Sequence, residues 1–334
     1  MKVNISTLKS MSLEELSVFM KTIPEYEKVL DLSNSNLYIE ENVNFLLRLL
    51  PLIPPTITTL NLSGNFLGYL TDAQLVAVID TLPFFIRTLN LRDNHFGHVK
   101  RTITTEGLLM ALGCLEKKNI RSLDLAENNF GLLSFAQKLL ILQALPSKLD
   151  TLGLAANSLA GLYDDELMAL FQTIAPNIKS LNLSNNHFGF PTRHFTHKGL
   201  INALRTLKKV TFLDLSDNDL HRSSVDELKE IGPSIPPNVI KIDFSRNNLF
   251  MGRESKDRDA ILVGLRHPDA PGRTLILKGN NEGEFARWAA PFASFFRQTP
   301  PGPERTAMKF ILEAFDENKK EFLDSFEKKF HPSP

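Results

Sequence analysis

The chain holds one cysteine, Cys114, and one tryptophan, Trp288, among 334 residues, and neither sign of charge prevails, with 38 Lys and Arg against 38 Asp and Glu. A lone thiol cannot close an intramolecular disulfide, so the fold must hold without one and a reducing compartment is expected. The balanced charge removes any molecule-wide field that would gather nucleic acid or anionic lipid; only a local patch could do so. Long apolar runs are missing as well. The stretch from Leu46 to Ile53 is broken by Arg48 and Pro51, and Met1 to Ser10 lack the continuous apolar segment of a cleaved leader. No membrane span is expected, and any export would use a route without such a leader.

What the chain has in abundance is a short pattern that returns. Residues 178–188 read Ile-Lys-Ser-Leu-Asn-Leu-Ser-Asn-Asn-His-Phe, apolar at the first, fourth, sixth and eleventh positions, with Asn186 at the ninth. Leu181 and Leu183, two apart, face one side of a short strand, while Ser180, Asn182 and Ser184 face the other. The chain must then turn into a buried loop whose backbone amides need partners, and a short polar side chain such as Asn186 supplies them. Fourth-position residues are Leu30, Leu60, Leu89, Leu123, Leu152, Leu181, Leu213, Ile242 and Leu275, spaced by 30, 29, 34, 29, 29, 32, 29 and 33. The ninth position holds Ser35 in the first unit and then Asn65, Asn94, Asn128, Asn157, Asn186, Asn218, Asn247 and Asn280. One unit buries almost nothing alone, so the nine must stack, strand beside parallel strand.

Between strands the spacing changes. Leu75, Ile79 and Leu82 step by four and then three, as do Leu108, Leu112 and Leu115, then Leu167, Phe171 and Ile174, then Leu200, Leu204 and Leu207; each set marks one face of a helix. Thr71 with Gln74, Ser134 with Gln137 and Ser224 with Glu227 form capping boxes at helix starts, and prolines such as Pro83, Pro146 and Pro236 stop helices before the next strand. Residues 1–26 are expected to form a helical cap, with Ser12 and Glu15 opening a helix to about Thr22 and Leu13, Leu16, Val18, Phe19 and Ile23 covering the open end of the core.

A helix in nearly every unit and a 29-residue basal period resemble the ribonuclease-inhibitor-type leucine-rich repeats, shared by cytosolic ribonuclease inhibitor, the Ran GTPase-activating protein and the sensor regions of nucleotide-binding immune receptors. The resemblance covers residues 27–282 and implies an α/β horseshoe solenoid with an inner parallel sheet and outer helices. The paired-cysteine caps of extracellular leucine-rich repeats are missing. The irregular repeats and Phe-rich tail also resemble the leucine-rich-repeat effectors that intracellular bacteria inject into host cells. In that tail, residues 283–334, Phe285, Trp288, Phe292 and Phe295 recur at helical spacing, as do Ile311, Phe315, Phe322, Phe326 and Phe330 beyond a proline break. These stretches read as a C-terminal cap and an amphipathic tail helix that either packs on the last coil or docks elsewhere. The acidic residues near the terminus resemble type IV secretion tail signals, although a solvated helix face has the same composition.

Converging catalytic groups are not evident. The concave fifth-position column reads Asp31, Asn61, Asn90, Asp124, Gly153, Asn182, Asp214, Asp243 and Ile276, which suits a recognition surface or a solvated face. With neighbouring strands about 4.8 Å apart, Asp214 and Asp243 are expected to perturb each other's titration. Cys114 lies beside Leu112 in a repeat helix and reads as a small core hydrophobe, not the nucleophile of a bacterial ubiquitin ligase. His187, His194 and His197 have no thiol or carboxylate at a metal-binding spacing, so neither metal nor other cofactor is expected.

Three units carry extra residues after the strand, at 95–106, 187–198 and 248–259, and the first two run His-Phe-Gly-His-Val-Lys-Arg-Thr and His-Phe-Gly-Phe-Pro-Thr-Arg-His. All leave the same edge of the solenoid, where insertions often meet partners. This rim gathers Tyr38, Tyr69, His95, Arg101, Phe190, Arg193, His194, Phe195, Phe250 and Arg253. Binding energy concentrates in Tyr, Trp and Arg, so a partner contact is expected here, reaching the concave strands through Arg87, Arg92 and Arg121. The alternative is tolerated loops whose aromatics tuck into the local core. The expectation is a monomeric, non-enzymatic scaffold that binds another protein and not nucleic acid, with regulation of a small GTPase as the alternative activity.

Overall fold

The computed structural model describes residues 1–2, 5–174, 177–189 and 196–280. Phe190, Arg193, His194 and Phe195 lie outside them, as does the tail segment from 283 to 334. Among the described residues, nine three-residue strands form one parallel sheet in sequence order: β1 (Val29–Asp31), β2 (Thr59–Asn61), β3 (Thr88–Asn90), β4 (Ser122–Asp124), β5 (Thr151–Gly153), β6 (Ser180–Asn182), β7 (Phe212–Asp214), β8 (Lys241–Asp243) and β9 (Thr274–Ile276). Register follows the repeat, with Leu30 opposite Leu60 at one end and Ile242 opposite Leu275 at the other. Fourth-position side chains from Leu30 to Ile242 are fully buried, as are Leu32, Leu62, Leu125 and Leu183 at the sixth.

The helices fill the other layer. They are α1 (Ile5–Leu8), α2 (Leu13–Lys21), α3 (Glu40–Leu49), α4 (Asp72–Asp80), α5 (Thr105–Cys114), α6 (Phe135–Gln143), α7 (Asp164–Thr173), α8 (His197–Leu204), α9 (Val225–Ser234) and α10 (Ser255–Gly264). The capping boxes at Thr71, Ser134 and Ser224 are all formed, and the helix faces stepping by four and three are all buried in one continuous core. Cys114 packs half-buried against that core. The Ser12 capping box opens α2, yet Leu13 and Val18 are exposed; Leu16, Met20 and Ile23 face the core, joined by Ile5 and Leu8 of α1. The covering stripe is Leu16, Met20 and Ile23, because Met20, four residues from Leu16 and three from Ile23, completes the buried face that Val18 cannot reach.

The buried asparagines explain how coils are joined. Asn128 Oδ1 accepts from the backbone amides of Asn94 (3.0 Å) and Phe96 (3.4 Å) in the preceding coil. Its Nδ2 donates to the carbonyls of Leu91 (2.9 Å) and Ala126 (3.1 Å). Each asparagine therefore serves the coil before its own, and the first coil has no earlier coil to serve. Ser35 is tolerated for that reason: its amide still reaches Asn65 Oδ1 at 2.7 Å.

The two similar insertions share a clamp. Asp72 at the start of α4 accepts from the amide (2.8 Å) and hydroxyl (2.6 Å) of Thr104, the N-cap of α5; Asp164 at the start of α7 does the same for Thr196, the N-cap of α8, at 2.7 and 2.5 Å. A Cβ at Gly107 or Gly199 would run into the clamping carboxylate, so each long coil brings its helix back onto the previous one through a Thr-x-x-Gly start.

Candidate protein-binding rim

Past each of the first eight strands the chain turns with a left-handed residue on either side of the ninth position: Gly64 and Phe66 around Asn65, Asp93 and His95 around Asn94, Asp217 and Asp219 around Asn218. Gly68 follows, where a Cβ would strike the carbonyls of Asn94 and His95, and its amide donates to Asn94 O at 2.8 Å. Coils therefore approach closely at this edge. The side chains of the left-handed residues project from it in a row.

In the first three coils an aromatic group gathers around two of them, Phe66 and His95. Phe66, a bulky residue held at φ 56°, stacks edge to face on Tyr38 (ring centroids 5.6 Å) and His95 (4.9 Å). Tyr69 lies 6.4 Å from both Tyr38 and Phe66 and 5.8 Å from His95, and its hydroxyl meets His98 Nδ1 at 3.2 Å. His95 and His98 stack at 5.3 Å, with His95 Nε2 3.5 Å from Asp93. The cluster continues into exposed apolar surface at Ile39 and Val99, while Tyr38 itself remains 45% exposed.

The other rim residues divide. Arg101 is half-buried, its guanidinium donating to the carbonyl of Phe96 and to Thr105 Oγ1 (3.0 Å), and burial lowers its pKa. Arg253 donates to His221 O (3.0 Å) and Ser223 O (2.5 Å) of the preceding coil. Phe250 is buried in the core. These three brace the insertions, since irregular backbone leaves carbonyls that a long cation or an apolar ring must cover. Farther along the rim His187 Nδ1 sits 3.0 Å from Asp219. His197, at the first position of α8, is half-buried, and burial lowers its pKa.

On the concave face Arg92 pairs with Glu127. Arg87 and Arg121 are not with the rim group: they precede β3 and β4, at the opposite end of the strands, where Arg121 donates to Lys148 O (3.1 Å) and lies 3.9 Å from Asp150. The fifth-position column is largely consumed locally, each Asp or Asn accepting from the amide two residues on, as Asp124 does from Ala126 (2.9 Å) and Asp243 from Ser245 (2.8 Å). Asp214, which accepts from Ser216 N at 2.9 Å, has a raised pKa, chiefly through burial, with the neighbouring charge of Asp243 adding to it. Among the described residues, no three His, Cys, Asp or Glu side chains come together as a metal site, and no helix is long and apolar enough to cross a membrane.

Sequence reasoning missed Phe66 and His98. Phe66 was legible as the residue following Asn65, in line with His95 after Asn94, because the repeat register places equivalent positions side by side.

A family profile described as Leucine Rich Repeat matches residues 177–197. Among solved structures, the chain is similar to the leucine-rich repeat-containing protein LegL7 from Legionella pneumophila, with a TM-score of 0.69 and 27% identity over 84% of this chain and 83% of that one. A yeast Rad7 and Elc1 complex also aligns, over 82% of this chain and 83% of that one, but at 12% identity and a TM-score of 0.31 it carries no weight. Comparison with curated proteins gives no match. Strand for strand the coils obey one consensus from β1 to β9, and the chain is a leucine-rich-repeat solenoid of the α/β kind.

Proposed function

We propose that this solenoid is a non-enzymatic scaffold that binds another protein through the rim of its first three coils, and that it acts as an injected bacterial effector in a host cytosol. The observation that carries the binding reading is the ring group Tyr38, Phe66, Tyr69, His95 and His98, preorganised by its own stacking and bordered by exposed Ile39 and Val99. Rigid aromatic surface loses little entropy on contact, and binding hot spots are enriched in such residues. Arg92, paired with Glu127, extends the contact onto the concave strands. Likeness to a Legionella leucine-rich-repeat protein over most of both chains supports the bacterial setting.

The test is capture of a partner from host-cell lysate by the immobilised chain, with Tyr38→Ala/Tyr69→Ala and Lys241→Ala alongside. The rim variant is expected to weaken capture at least about tenfold with the fold intact by circular dichroism, since each lost hot spot is worth roughly 2 kcal/mol. Lys241→Ala, on the strand end away from this rim, should capture normally. Equal capture by all three proteins removes the rim from the account.

A further inference from the structure

The opposite edge of the sheet, where helix ends lead into strands, carries a second surface of different chemistry. Arg87, Lys117, Lys148, Lys208, Lys209 and Lys241 are all exposed there, in coils three to eight. Asp80 is exposed at the end of α4, and within the loops ahead of β3 to β8 the carboxylates are Glu116 and Asp150. Both are engaged: Glu116 accepts from the amide and hydroxyl of Ser147, each at 2.7 Å, and Asp150 lies between Arg121 and Lys179, the latter at 3.4 Å. The overall charge balance thus conceals a local excess of cations along one edge.

Cations near helix C-termini commonly just cap carbonyls, and Lys118 does so, donating to Asp80 O at the end of α4. Lys117, Lys148, Lys208 and Lys209 have no such partner among the described residues. Mixed with them stand exposed apolar side chains, Phe84 at 67% and Ile240 at 63%, in the same loops. Parallel register repeats these loops side by side, one per coil, so the cations form a row along one edge of the solenoid, with Phe84 in coil three and Ile240 in coil eight at its two ends. Lysines that attract acidic headgroups, flanked by apolar side chains that enter the interface, are the combination an anionic bilayer surface binds. A protein acid strip or a nucleic acid would satisfy the lysines and leave Phe84 and Ile240 in water.

We propose that this edge docks the solenoid peripherally on an anionic lipid surface, leaving the aromatic rim on the far side free for its protein partner. The test is co-sedimentation of the full chain with phosphatidylcholine vesicles and with vesicles containing phosphatidylserine. Binding is expected only to the second, with release by salt. Each lysine near the surface contributes about fivefold in partitioning, so Lys208→Ala/Lys209→Ala should lower it by roughly 25-fold. Phe84→Ser/Ile240→Ser should bind more weakly and be released at lower salt. Tyr38→Ala/Tyr69→Ala should bind vesicles like the parent chain, which separates failure here from failure of the rim reading. Undiminished binding by the lysine variant, equal binding to both vesicle types, or binding to polyglutamate or single-stranded DNA without binding to vesicles would overturn the proposal.

Discussion

On the asparagine side of the sheet each of the first eight coils turns through two left-handed residues, whereas on the opposite side the chain passes from helix to strand with a proline or a short turn and, among the described residues, no left-handed one. The difference decides what side chains are free to do. Irregular backbone exposes amides and carbonyls, so Asn128, Arg101 and Arg253 are drawn into covering them. On the opposite edge Arg121 and Arg273 also cover carbonyls, of Lys148 and of Gly232, Ile235, Pro236 and Val239, whereas Arg87, Lys117, Lys208 and Lys209 remain at the surface. On either edge, a charged residue is thus evidence for a partner only where no neighbouring carbonyl takes it up.

The hardest way to break this contrast is at the ladder. Asn128→Ala removes two acceptor and two donor contacts from a fully buried site, and a loss of about 3–5 kcal/mol is expected in denaturant unfolding. Ser35→Ala, at the same position of the first coil with no earlier coil to serve, should cost under about 0.5 kcal/mol. Equal losses at the two sites would mean that the coils are joined by apolar packing alone.

Next come the arginines. Arg101→Ala strands the Phe96 carbonyl in half-buried surroundings and should cost about 1–3 kcal/mol. Arg87→Ala, exposed on the other edge, should stay within about 0.5 kcal/mol of the parent chain by the same measurement.

The sequence made these distinctions only in part. Strand positions, the ladder and the capping boxes were legible because each rests on spacing, and spacing survives from coil to coil. Arg101, Arg253 and Phe250 read as surface because a sequence displays charge and aromaticity without showing which carbonyl or cavity lies beneath. Arg87 and Arg92 stand five residues apart and seemed one patch, but a strand separates them onto different ends of the sheet. Leu13 and Val18 misled in the same way, since apolar identity does not reveal helix phase.

The smallest effect sharpens the comparison on the concave face between the edges, where Asp214 is the acid that burial disfavours. Its pKa is raised in the folded chain, so between the ordinary carboxylate value of 3.8 and the raised one the folded chain holds a proton that the unfolded chain has lost. Stability contributed by this group therefore falls as pH rises through that interval, and the penalty is complete above it. Asp214→Asn keeps an acceptor for the Ser216 amide and removes the charge facing Asp243. Its melting temperature should exceed that of the parent chain at pH 7, and the gap should close as pH drops below the carboxylate range. A variant less stable at pH 7 would show that the ionised carboxylate is a better acceptor for Ser216 than burial makes it a liability, and this position of the column would then be held by charge.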